Sequence, residues 1–341
     1  MTDTSERRSR LLGIKLRALV AEHVGRSLDV DTASFPHGAA FVIDGAAWVL
    51  IEGDASRALG GALAWALRHG ATSLDLVAEA DTGLLARRAG QLRFPVAVWF
   101  ARERTLLPAV PQPLAEPVAP TPEHLALADM IVVAGATVNV EHGVVFGEVS
   151  GLEVCRVVDE PTIGHIAELA DIDPSLFASI DDVLLEVGVG ANDREAFRLI
   201  HGGIPTVEAL ASVVGAVAAH RSPDAAQHPL NRLGQERYLR WRLEQQPHLV
   251  GMVSVAPSQP PLPRPNLKDP IPCVANAVDA AGRVHAIVCS VGVDVDLVGF
   301  VADVQSMTHD PVIVALKERD RLPITLDLLG QLATPVEIRA V

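Results

Sequence analysis

The segment Asn231–Gln246, NRLGQERYLRWRLEQQ, holds the densest collection of side chains able to recognise charge. Arg232, Arg237, Arg240 and Arg242 surround Trp241 and Tyr238, the one tyrosine of the chain. Guanidinium groups interleaved with aromatic rings suit phosphate contacts and base stacking, or an acidic protein surface. Arg264 and Lys268 lie a short distance on and would join the same anion- or partner-binding site. The letters equally describe an amphipathic helix, with Leu233, Leu239 and Leu243 inward and the arginines paired with Glu236 and Glu244.

A second pattern is Val183–Asn192, VLLEVGVGAN. A strand that runs into Gly-x-Gly and then a helix can cradle a phosphate or a nucleotide on backbone N–H groups. The run resembles the first motif of S-adenosylmethionine-dependent methyltransferases, with Asn192 in the place of the third glycine. That family would next need a strand ending in an acid, where residues 205–220 read as a helix. A tight strand-to-helix turn explains the same letters.

Other chemistries find no pattern. The twelve histidines form neither HxxxH nor HExxH. Ser290 lacks the Gly-x-Ser-x-Gly elbow. Cys155, Cys273 and Cys289 lie far apart in apolar surroundings without CxxC spacing, which reads as buried reduced thiols and not a zinc site.

Bulk properties narrow the partners. The formal charge of -14, from 28 basic and 42 acidic residues, works against nonspecific polyanion binding, which needs a positive field. It leaves room for a local basic patch on DNA or RNA. The polar start Met1–Arg10 does not read as a signal peptide, and no apolar run reaches the roughly 18 residues that cross a bilayer. A cytoplasmic protein without a membrane partner is expected.

The elements that must position these residues fall into three units. Two proline-rich stretches, 107–122 and 257–272, punctuate the chain. The reading is an N-terminal α/β unit over 1–106, a linker over 107–122, a middle α/β unit over 123–222, and a C-terminal α/β unit over 223–341 that contains the loop 257–272. In the first unit the pattern predicts a helix over 11–24, strands at 28–33, 39–43 and 47–51, and then helix, strand, helix, strand. Asp44-Gly45 is a hairpin turn there. After the second proline-rich stretch nearly the same order returns, with residues 230–245 as counterpart of the opening helix. The middle unit reads as a helix, strands at 138–149, 152–158 and 183–187, a polar inserted loop over 163–180, and a helix over 207–219.

This layout resembles the restriction-endonuclease-like, or PD-(D/E)XK, superfamily. The resemblance implies mixed sheets in repeated helix–three-strand–helix–strand units and a divalent cation, Mg²⁺ or Mn²⁺, that activates a water against a phosphodiester. Gly147-Glu148-Val149 looks like the Gly-Glu-Ile before the family's aspartate, and Leu185-Glu186-Val187 like the start of its Glu-x-Lys strand. Carried over, Glu148, Glu153 and Glu186 would be the catalytic acids, with Glu153 and Glu186 on the metal. Ser150 stands where the aspartate belongs and Gly188 where the lysine belongs. In the first unit Asp54 replaces the lysine that would follow Asp44 and Glu52. In the last, Asp279 has no acidic mate.

Three functional expectations follow. The first is a nucleic-acid-associated protein of nuclease-like fold whose catalytic motif is degenerate. The second is a noncatalytic scaffold that binds a protein partner through residues 231–269. The third is a nucleotide-binding or methyltransferase-like enzyme.

Overall fold

The computed structural model describes residues 2–159, 179–180, 183–190, 193–194, 206–222, 225, 228–264 and 270–341. Asn192, Lys268 and the expected inserted loop, apart from Ser179 and Ile180, lie outside the described residues. Those described form a mixed α/β structure with three sheets.

The chain opens with α1 (Thr2–Val24), β1 (Ala33–Phe35), β2 (Gly38–Ile43), β3 (Ala46–Ile51), α2 (Leu59–Arg68), β4 (Ser73–Ala78), α3 (Thr82–Ala89), β5 (Val96–Arg102) and β6 (Thr105–Pro108). Its sheet runs β1 to β6 in sequence order, antiparallel at β1–β2–β3, parallel at β3–β4–β5, and antiparallel again at β6. Asp44 and Gly45 both take positive φ, 51° and 81°, so the predicted hairpin turn forms. Leu12, Leu16, Leu19 and Val20 of α1 bury against Phe41, Trp48 and Leu50 of the sheet. The first strand is Ala33–Phe35 and not residues 28–33. Leu28 and Val30 pack on this core from a segment that pairs with no strand. The first proline-rich stretch begins inside β6, an edge strand, where a missing N–H costs no ladder bond.

The chain continues through α4 (Pro122–Ala126), α5 (Ala128–Val133), β7 (Thr137–Glu141), β8 (Val144–Val149), β9 (Leu152–Asp159), β10 (Ser179–Ile180), β11 (Val183–Val187) and α6 (Thr206–Arg221). The second sheet has the order β10-β11-β9-β8-β7 and is antiparallel throughout. Residues 138–149, expected as one strand, are two. His142 and Gly143 take φ of 50° and 79° and reverse the chain between β7 and β8. Ser150 and Gly151 make the next reversal the same way.

A 3₁₀ turn at Pro229–Arg232 leads into α7 (Gln235–Gln245), a second 3₁₀ turn at Pro247–Val250, then β12 (Ser254–Ser258), β13 (Cys273–Val278), β14 (Val284–Cys289), α8 (Leu297–Met307), β15 (Val312–Leu316), α9 (Pro323–Leu329) and β16 (Glu337–Ala340). The third sheet runs β12 to β16 in sequence order. Leu239 and Leu243 of α7 bury against Val255, Cys273, Ile287 and Ile313, as α1 does on its own sheet.

Helix, three strands, helix, strand, helix, strand is therefore the order at both ends of the chain. The repeat also survives in letters. Gly90–Val96 and Gly330–Val336 share Gly-Gln-Leu-x-x-Pro-Val.

These elements gather into two compact units. One comprises residues 1–115, 292–312 and 318–338, the other 116–291, 313–317 and 339–341. Within the first, α8 packs on α2 and α3, and α9 on α2. Asp303, fully buried on α8, receives Arg88 Nε at 2.8 Å and Arg87 Nε at 3.1 Å. Among the described residues, no helix is long and apolar enough to cross a membrane.

Candidate functional site

The second sheet and α7 bring the predicted acids and the predicted arginines together. β7, β8 and β9 carry Glu141, Glu148 and Glu153 at buried positions, beside Arg237 and Arg240 of α7. Gly151 sets the approach. A Cβ there would lie 2.4 Å from the backbone carbonyl of Arg237, so the β8–β9 turn touches the helix directly.

The pairing is dense. Arg237 Nη2 donates to Glu141 Oε2 at 2.5 Å, and Arg237 Nη1 lies 3.2 Å from Glu148 Oε1 and 3.4 Å from Glu153 Oε2. Arg240 Nη2 donates to Glu148 Oε2 at 2.5 Å and its Nε to Glu244 Oε1 at 2.9 Å. Asn139 Nδ2 also donates to Glu148 Oε2, at 2.8 Å. Glu153, 1 % exposed, accepts from both Arg156 and Arg194 at 2.9–3.1 Å. Arg194 Nε reaches Glu186 Oε2 at 3.2 Å. Arg237 further lies over the Phe146 ring, 4.7 Å from its centroid.

The electrostatics follow. Burial alone would lift the Glu153 carboxyl, but Arg156, Arg237 and Arg194 together hold it below its ordinary range. Burial likewise works against the Arg237 and Arg240 charges, yet Glu148 and the other glutamates raise both above the usual guanidinium value. Glu244 goes the other way, because burial outweighs the pull of Arg240. Opposite charges so close and so dry offset part of the cost of burying each other.

Glu148, Glu153 and Glu186 thus do converge, but on guanidinium groups. These acids do not fit a divalent cation, since displacing the arginines from Glu148 and Glu153 would leave two buried positive charges unpaired. Among the described residues no group of three His, Cys, Asp or Glu side chains is arranged to hold a metal ion. The acids noted near the other turns are likewise engaged. Asp44 pairs with Arg26, Glu52 with Arg8 at 2.7 Å, and Asp279 accepts from the Ala281 and Arg283 amides.

The arginine segment divides into two faces. Arg237 and Arg240 are buried in the network, whereas Arg232 is exposed, and Trp241 and Arg242 are half-buried with Trp241 against Tyr238. Arg264 donates to the Ile271 carbonyl at 2.8 Å, and burial and the Arg237 charge hold its pKa down. At the Gly-x-Gly run, Gly188 and Gly190 take positive φ, and the Asp193 carboxylate accepts the Val189 N–H at 2.7 Å. A carboxylate therefore occupies a donor that a phosphate would need. The region after it, residues 206–221, is the helix α6, as the spacing predicts.

Glu141, Arg156, Arg194 and Arg221 are the participants that sequence reasoning missed. Alternation along β7 marks Glu141 as inward once the strand is cut at His142. The basic residue closing α6 carried no comparable signal.

Comparison of the chain with protein-family models, with curated proteins and with solved structures returns no match.

Proposed function

We propose that the chain is a noncatalytic binding scaffold, with its partner surface on the outer side of α7. The mutual neutralisation of Glu148 and Glu153 with Arg237 and Arg240 carries this reading. It spends the acids a metal-dependent nuclease would use, and the two innermost arginines an anion patch would use. What the segment still offers is Arg232, Trp241 and Arg242, an aromatic anchor flanked by guanidiniums of the kind that dominates protein interfaces.

The test is affinity capture of the full chain with chemical cross-linking. A partner held by wild type and lost on Trp241→Ala supports the scaffold. Turnover of DNA or RNA with Mg²⁺ or Mn²⁺ that Glu186→Ala abolishes would overturn it.

The repeated order of elements favours one other reading, a nucleic-acid-associated protein of restriction-endonuclease-like layout. It requires duplex or single-strand binding whose affinity falls steeply with salt, measured by fluorescence anisotropy between 50 and 200 mM salt.

A further inference from the structure

Arg221, the last residue of α6, is 3 % exposed, and among the described residues no carboxylate pairs with it. Its Nε donates to the Ser150 carbonyl at 3.1 Å, its Nη1 to the Leu230 and Leu233 carbonyls at 3.0 and 2.9 Å, and its Nη2 to the Gly234 carbonyl at 3.5 Å. The Tyr238 ring lies 5.0 Å from its Cζ. Carbonyl dipoles satisfy hydrogen bonds, yet they leave a full positive charge out of water. The contrast with Arg237 and Arg240, each matched by glutamates, is sharp. Burial accordingly lowers the Arg221 pKa to about 10.

This charge lines a cavity of about 150 Å³, with His220, Ser222, Asn231 and Tyr238 as the other polar walls. His220 stacks on His228 with centroids 3.8 Å apart and rings nearly parallel. The Asn231 Oδ1 is buried without a hydrogen-bond partner. Turning that amide over would present its NH₂ as a donor instead. The cavity holds several waters' worth of space but falls below the roughly 300 Å³ at which whole small-molecule ligands are usually enclosed. A single anionic group fits it and a nucleotide does not.

We propose that this cavity is an oxyanion site, in which Arg221 supplies positive charge and His220, Asn231, Ser222 and Tyr238 supply hydrogen bonds to a phosphate or phosphomonoester group. The inference goes beyond the scaffold reading and does not depend on it.

Tyr238 is the only tyrosine, so replacing it by 3-fluorotyrosine gives a single ¹⁹F resonance at the cavity wall. The full chain is titrated with inorganic phosphate at constant ionic strength, against chloride as control, and separately with a phosphoserine peptide. Saturable movement of the resonance with phosphate, weakened tenfold or more in His220→Ala and Asn231→Leu, supports the site. Arg221→Gln removes it, and the two milder variants keep the test valid should that one not fold. A linear or absent response, or equal affinity in wild type and His220→Ala, overturns it. Saturation by inorganic phosphate alone assigns a free ion. Tighter binding of the peptide assigns a phosphorylated side chain. His220→Ala, which the phosphate site requires to lose affinity, leaves any partner captured through Trp241 in place, so the two ideas fail separately.

Discussion

Leu92 and Leu332 meet across an antiparallel bridge, each the third residue of the shared Gly-Gln-Leu-x-x-Pro-Val sequence. The flanking bonds are reciprocal, from Arg93 N to Gln331 O and from Ala333 N to Gln91 O, both 2.8 Å. Residues at the same place in the shared pattern thus lie opposite each other, as they would across the two-fold axis of a symmetric dimer. Leu332 is almost fully buried and Leu92 partly so. We expect Leu332→Ala to cost about 2–4 kcal/mol and Leu92→Ala less. Denaturant midpoints of the two single variants and the double variant should show non-additivity, and strict additivity would contradict the coupling.

The buried network makes a second prediction. Arg240→Met leaves Glu148 and Glu244 without their nearest cation and should destabilise by about 3–5 kcal/mol. A Trp241→Ala variant, altered on the outer side of the same helix turn, should lose much less. Urea unfolding followed by circular dichroism compares them, and similar losses would mean that Arg240 contributes packing alone.

Acid should act on the two units with opposite signs. Glu153 has a depressed pKa, so its contribution is present above the unfolded carboxylate value near 4.3 and is lost as pH falls through the lower folded value. Asp296 is raised to about 6 by burial and by Asp294, against bonds from the Gly60 amide and the charge of Arg57. Its contribution is full below about pH 4 and is lost as pH rises through 6. Asp296→Asn should therefore gain on the order of 1–3 kcal/mol relative to wild type at pH 8 and nothing at pH 4. Thermal melts at both values check the crossover.

The three cysteines should be inert in the native protein. All are buried, the Cys155 thiol is pushed up to about 12 by burial, and Cys289 is raised by its bond to Cys273 and by burial. Few thiolates exist at neutral pH, so labelling by a maleimide should wait for unfolding. Reaction within minutes under native conditions would refute this.

Much of the scaffold was legible because periodicity is local. The apolar runs of β2 and β3, the Asp44-Gly45 turn and the apolar faces of α1 and α7 follow from neighbouring letters. The turn at His142-Gly143 was not legible, because a histidine with positive φ is uncommon and the apolar run reads straight through it. The site was half legible. Glu148, Glu153, Arg237 and Arg240 were singled out as chemistry-bearing, but as two separate sites. That they neutralise each other depends on α7 crossing the sheet at Gly151, a contact between residues far apart in the chain. The cavity at Arg221 depends on three segments at once and left no trace in the letters of any one.

The ion pair between Arg88 and Asp303 gives the duplication a direction. In the second copy Leu328 stands two residues before Gly330, where the first has Arg88 two before Gly90. The helix of the first copy that corresponds to α8, with the sequence LGGALAWALR, carries no acid. Two first halves brought face to face would strand both guanidiniums in a dry seam, and two second halves would strand both aspartates. The pairing of Arg88 with Asp303 therefore suits one segment of each kind and no two alike.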